Sequence, residues 1–340
     1  MRRGAMTIWR SGFLLFLILA KSIPAGEYAA DFLRIGVGAR ALAMGGAFTA
    51  VANDASAFYW NPAGMTAVNK FSVHVDHVAL FGGLSQYNAV SATLGFRHKT
   101  AVAINWLRLG VDEIPRYGPL LGSRLDRLTN LSLRSNGTPD GFFSDTEDAV
   151  LLSFSRTEKL NIYLGAGLAD DPLPAEVSFG LNAKFIRQNL DDAVGSGQGL
   201  DAGILLRLIS ESAFHRQPNT WLGFGVYFKD LSKTAIVWST GSKHRDEISR
   251  GLQSGVAFSH RAIGIKSRLT LSFDKEFGFY SENHFGGEIE FFDVLAVRGG
   301  YYRDNFSTGA GLSLFGFRVD YAFIPHELEN SHRISASMNF

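Results

Sequence analysis

The chain has 340 residues with a formal net charge of +1, 46% hydrophobic and 19% charged residues. That balance excludes nucleic-acid binding by bulk electrostatics. The lack of any cysteine excludes a disulfide framework and thiolate metal sites.

The N-terminus reads as an export leader. Arg2, Arg3 and Arg10 precede the apolar run from Phe13 to Ala20, a charged n-region and an h-region too short to span a membrane. Cleavage falls after Ala25, with Ser22 as the rival site. No later run of about 18 apolar residues follows, so helical spans are not expected. An exported chain with 37 glycines and 28 phenylalanines then leaves a secreted β protein or an outer-membrane barrel.

Between Ala39 and Met65 the chain is rich in Ala, Gly and Ser, including Gly45 and Gly46. Small side chains let backbones approach closely. Asn53-Asp54 and Asn61-Pro62 are turn initiators. A compact, turn-rich segment of this kind fits a narrow space; a short helical hairpin capping a domain is the alternative.

After it, period-two alternation dominates. Phe179, Leu181 and Phe185 share a face opposite Ser178, Asn182 and Lys184, and Leu269, Leu271 and Phe273 oppose Thr270, Ser272 and Asp274. Strands are predicted near 71–81, 86–96, 100–109, 148–158, 176–189, 198–209, 220–229, 250–260, 268–277, 283–292, 294–303, 305–314, 316–323 and 332–340. Sandwich strands are usually about five or six residues, whereas these approach the roughly ten residues of a tilted membrane crossing. Aromatics at strand ends (Trp106, Tyr163, Tyr227, Trp238, Tyr280, Tyr301 and Tyr302) read as interfacial girdles. The expectation is an all-β fold, a transmembrane antiparallel barrel of about 14 strands with a plug in its lumen. Its divisions are a signal peptide over 1–25, a plug over 26–69 and a barrel over 70–340. Ile236-Val237-Trp238 is assigned to a loop, and 110–147, with its leucines, to a partly helical lid or docking surface outside the cell, the alternative being a loop that folds on its own rim.

The last strand places Ile334, Met338 and the terminal Phe340 on one face, with Arg333, Ser335 and Asn339 on the other. It resembles the terminal strand read by the barrel-assembly machinery, which becomes an expected partner beside outer-membrane lipid. Residues 38–47 (Gly-Ala-Arg-Ala-Leu-Ala-Met-Gly-Gly-Ala), Asn53-Asp54-Ala55-Ser56, Trp60-Asn61-Pro62-Ala63-Gly64 and the tail 320–340 resemble the PorV/PorQ family, outer-membrane barrels related to the fatty-acid transporter FadL. The resemblance implies an N-terminal plug, a cell outer-membrane location and a type IX secretion-associated carrier that binds exported cargo at its outer loops. The alternative it implies is a FadL-like transporter of fatty acids or other hydrophobic small molecules. Asn53, Asp54, Trp60, Asn61 and Pro62 would then tie plug to wall.

Little enzymatic chemistry appears, and no catalytic residue, cofactor or metal is expected. Gly36-Val37-Gly38 lacks the βαβ context of a dinucleotide site. Gly195-Ser196-Gly197-Gln198-Gly199 reads as a turn. His74 and His77 fall on opposite faces of a strand. Asp201, Asp274, Glu288, Glu290 and Asp320 share the predicted inner face with Lys184, Arg207, Arg268, Arg298 and Arg318. They read as the paired charges of a hydrated lumen that hold the plug.

Overall fold

The computed structural model describes residues 29–97, 99–134, 137–162, 172–210, 220–278, 281–325 and 330–340. The signal peptide expected over 1–25 lies outside these residues, as do Tyr163 and Tyr280. Two short helices come first, α1 (Ala39–Ala43) and α2 (Ala57–Trp60). The strands follow: β1 (Phe71–Leu80), β2 (Ser85–Phe96), β3 (Thr100–Arg116), β4 (Gly141–Ile162), β5 (Leu173–Leu190), β6 (Ala193–Ser210), β7 (Thr220–Lys229) and β8 (Ala235–Trp238). The second half holds β9 (Arg245–Glu247), β10 (Gly251–Ala262), β11 (Ser267–Phe277), β12 (Glu282–Phe291), β13 (Leu295–Tyr302), β14 (Asn305–Leu314), β15 (Phe317–Ile324) and β16 (Ser331–Asn339).

Fourteen of these strands, all but β8 and β9, form a closed antiparallel barrel. Closure is made by β16 against β1, from Ser72 opposite Asn339 to His77 opposite Ile334. The alternation seen in the sequence explains the wall. Leu181 is 55% exposed on the outside, while its neighbour Asn182 is fully buried inside. Phe154, Phe258 and Leu271 repeat the outward pattern against buried Ser153, Ser259 and Ser272. An apolar outer belt around a polar interior is stable only in lipid, and closing the sheet leaves no unpaired edge there.

Three expectations are corrected. The stretch 195–199 is not a turn but lies within β6; the turn is at Asp191-Asp192. Ile236 to Trp238 belong to β8, which pairs with β6 from Gly195 to Gln198 and with β9 on its other side. The glycines serve that contact: a Cβ on Gly195 would lie 2.7 Å from Ile236. The ribbon covers the part of β6 that rises beyond β7, an edge that would otherwise be open. Tyr227 and Tyr302 are not girdle residues. The first is buried in the lumen, and the second stacks on His284 inside the wall. Trp238 bonds Asp246 within the ribbon. Trp106 and Tyr301 do lie on the outer side, beside Arg108 and Phe306 respectively.

The barrel has two unlike ends. At the proximal end β1 begins and β16 stops, and Phe71 and Phe340 meet with ring centres 5.6 Å apart. The distal end carries the connections 117–140 and 230–250. Within the first of these, α3 (Arg124–Thr129) is closed by a capping box between Ser123 and Asp126. The segment expected over 110–147 is therefore shorter as a loop, because β3 and β4 extend into it. Leu120, Leu125 and Leu131 on it are exposed.

Candidate functional site

The site is the lumen itself. Residue 29 starts near the distal end, beside Leu107 and Phe277, and the chain leaves at the proximal end into Phe71. The segment between them therefore traverses the whole lumen. Its short helices have no cooperative length of their own. Their shape comes from the wall, which supplies partners to an irregular backbone held away from water.

Those partners are specific. The amide of Gly38 donates to Asp76 at 3.0 Å and that of Ala39 to Ser335 at 3.1 Å. Asp274 accepts from both Phe48 and Thr49, at 2.9 and 2.8 Å. Ser272 donates to the Ala47 carbonyl, Asn182 to that of Phe58, and Arg207 to those of Val51 and Ala52. Arg333 donates to the carbonyls of Ile35 and Gly36. Opposite such contacts the wall has no room for a side chain. A Cβ on Gly300 would lie 2.0 Å from the Gly45 nitrogen, and one on Gly180 would lie 2.2 Å from that of Ala63.

Arg40 is the electrostatic centre. Its guanidinium forms a bidentate pair with Glu288 at 2.9 and 2.7 Å and also donates to Asn53 and Asp54. Glu288 is shared with Arg298 at 2.6 Å and Arg318 at 3.5 Å, and both arginines pair with Asp320. The buried charges thus neutralise one another across three wall strands, β12, β13 and β15, and the plug. A second cluster stands distally, where Lys184 pairs with Asp201 at 2.8 Å and Asp230 at 2.7 Å.

Of the residues singled out in the plug, Asn61 reaches the wall. Its side-chain amide donates to the carbonyls of Thr49 and Ile204, and its oxygen accepts from Ala63. Pro62 lies against Gly180. Asn53, Asp54 and Trp60 instead tie the plug to itself: the first two through Arg40, and Trp60 by donating to the Val37 carbonyl at 2.8 Å. Ile334, Met338 and Phe340 all face outward, at 58%, 43% and 59% exposure. His74 points into the lumen and is buried, while His77 lies outside and bonds Asn88. Every carboxylate and cation predicted for the inner face lies there. Sequence reasoning missed Arg40 as the hub. Its signal was a lone charge within Ala39-Arg40-Ala41, a run otherwise built of small residues.

The plug leaves a cavity on each side. The distal one, about 100 Å³, lies between the turn Asp31–Arg34 and the wall; Leu33, Leu107, Leu151, Ile248 and Phe277 give it apolar sides, while Lys184 with its aspartates, Lys229, Arg250 and Glu276 also line it. The proximal one, about 580 Å³, is polar, bounded by Arg40, Asp54, Arg268, Glu290 and Arg318.

This architecture defines a plugged transmembrane barrel. A family model described as "Uncharacterised protein family (UPF0164)" matches residues 21–101, which hold the plug and the first two strands. No curated protein matches the chain. Among solved structures, the toluene transporter TbuX of Ralstonia pickettii is similar at 14% identity, with 90% of this chain and 98% of that one covered and a TM-score of 0.46. The toluene transporter TodX of Pseudomonas putida gives 12% identity, the same coverage and 0.45. The CymD monoaromatic hydrocarbon channel gives 11%, again 90% and 98%, and 0.46. None of these is a PorV/PorQ protein, so the narrower resemblance finds no support among them. Likenesses this distant assign no activity.

Proposed function

We infer that the protein is a gated outer-membrane channel for small apolar or amphipathic molecules, exported by a leader over residues 1–25 and inserted by the barrel-assembly machinery. Bacterial barrels carry their longer loops on the cell surface, which makes the distal end extracellular. The observation that supports the reading most is the division of the lumen. The plug separates a small, apolar-sided cavity on the outside from a larger polar vestibule on the periplasmic side. A solute would leave water for the apolar sides near Leu33 and Phe277, then pass inward where the plug gives way.

The outer cavity, about 100 Å³, is smaller than an apolar cavity of ~150 Å³ that takes up benzene. Binding a ring therefore requires the turn at Asp31–Arg34 to shift. The test is uptake of an apolar fluorescent probe by proteoliposomes, together with mass spectrometry of molecules that copurify in mild detergent. Probe entry well above empty liposomes, abolished by Leu33→Arg, supports the channel. Equal rates with and without protein refute it.

A second reading keeps one observation. The exposed leucines of 117–140 at the distal rim offer a surface on which an exported protein could dock. Stoichiometric copurification of secreted proteins, lost on shortening that loop, would establish the cargo carrier instead.

A further inference from the structure

Glu276 at the end of β11 and Glu282 at the start of β12 are direct cross-strand partners. Like charges placed directly opposite one another are destabilising unless something positive stands between them. Two side chains supply part of that charge: Arg303 bonds Glu282 Oε1 at 2.6 Å, and Lys229 stands 3.9 Å from Glu276 Oε1. The second oxygen of Glu276 lies 3.8 Å from a third group, the imidazole of His284, which is next but one to Glu282 on β12 and on the same inner face.

His284 is prepared in a particular way. It is 4% exposed, and its ring stacks on Tyr302 with centres 4.3 Å apart. Its Nδ1 lies 2.7 Å from the Gly45 carbonyl of the plug. A carbonyl only accepts, so Nδ1 carries the proton, which leaves Nε2 as the ring's metal-binding atom. That Nε2 is buried without a hydrogen-bond partner, and so is Glu282 Oε2. Nε2 stands 3.8 Å from Glu276 Oε2, and one ligand atom from each of the three residues lies within 4.8 Å of the others.

We propose that Glu276, Glu282 and His284 bind a first-row divalent metal ion, with Zn²⁺ the best-suited probe. Imidazole plus carboxylates is a ligand set that zinc accepts, at about 2.0–2.2 Å from each atom. Ligand atoms at such lengths stand roughly 3.5 Å apart, so the carboxylates need to close by about an ångström. Both side chains keep some exposure, 18% for Glu276 and 15% for Glu282. The Nδ1–H bond to Gly45 is the outer contact that metal-bound histidines usually make to fix their tautomer. Here its acceptor belongs to the plug. The ion therefore joins the wall to the plug next to the Gly45-Gly46 turn, beside the outer cavity that Glu276 also lines.

The test uses the full-length protein in detergent, stripped by chelator and dialysed against Zn²⁺, with Co²⁺ as a spectroscopic substitute. One ion per chain is expected, with visible Co²⁺ bands of low-symmetry coordination and slower hydrogen exchange at residues 44–46. Glu282→Gln and Glu276→Gln each weaken binding at least tenfold. They keep the His284 bond to Gly45, and heat-modifiable gel mobility verifies that each barrel is folded. Should either carboxylate variant fail to fold, Lys229→Met, which removes a competing cation, is expected to tighten binding several-fold. The proposal is overturned if the folded wild type retains no stoichiometric metal, or if folded variants bind it equally well.

Discussion

Asn61→Ala tests whether the plug is held by the contacts described above. Asn61 is fully buried and makes three hydrogen bonds through its side chain, to the Thr49 carbonyl, the Ile204 carbonyl and the Ala63 amide. The last of these caps the 3-10 turn Pro62–Ala67. Losing a hydrogen bond to a buried neutral partner costs about 1 kcal/mol, and each group left unsatisfied adds roughly 1–3 kcal/mol. Ile204 lies in the ladder of β6, so its carbonyl is the least exposed to that penalty. The expected loss is about 2–4 kcal/mol, all of it from the seated plug rather than from the barrel. At 1.4 kcal/mol per decade, the unseated population rises between about 30-fold and several hundred-fold. Planar-bilayer recordings should show a silent wild type and flickering openings in the variant, with unchanged heat-modifiable mobility on gels. Unchanged conductance with a folded barrel would refute the assignment of Asn61 as a tie.

Arg40→Met leaves Glu288 facing one plug cation fewer; breaking a buried ion pair costs roughly 3–5 kcal/mol, so protease nicking of residues 35–65 should appear with the barrel intact. Gly300→Val sets a side chain where the Gly45 nitrogen stands, whereas Gly299 has open space. The first should abolish plug protection in hydrogen exchange, and Gly299→Ala should not. Leu271→Arg, on the outer belt, should cost about 2–4 kcal/mol of folding stability in lipid vesicles, measured by guanidinium titration. In α3, hydrogen bonds from Ser123 hold the Asp126 carboxyl below its usual range. A depressed carboxyl stabilises the cap above its ordinary pKa and loses that effect as pH falls through the lowered value, so cleavage at Arg127 by an acid-active protease should accelerate only in strong acid, and Asp126→Ala should remove the dependence.

The barrel was legible because one rule, alternation, repeats in every wall strand: the predicted 220–229 and 305–314 coincide with β7 and β14. Strand ends were less so where extension leaves the membrane. β4 starts at Gly141 rather than near 148, since its early residues meet β3 above the apolar belt and need no outward hydrophobe. The ribbon escaped because Ile236-Val237-Trp238 is too short for periodicity, and the glycines that accept it look like a turn when read along one strand. Site chemistry was harder still. Glu282 and His284 share a face two residues apart, but Glu276 joins them only through the pairing of β11 with β12, and no linear spacing encodes that register. Arg40 pairs with Glu288 across 248 residues of sequence.

The contacts also say how such a plug can open. The wall's acids, serines and arginines address mostly plug main chain, at Gly38, Ala39, Ala47, Phe48, Thr49 and Val51. Withdrawing the whole segment would strip all of those groups of partners at once, at roughly 1–3 kcal/mol for each left unsatisfied until water entered. Sliding it is no better, because the spaces at Gly180 and Gly300 fit backbone at one height only. Two parts outside those main-chain contacts border the cavities: the turn Asp31–Arg34 above, and Asn53-Asp54 below, held to the plug through Arg40. A passage made by moving these two, with the middle held, costs far fewer hydrogen bonds than ejection. On the proposed channel reading, the wall glycines and the buried charges would serve the same end, fixing the centre of the plug and leaving its margins to open.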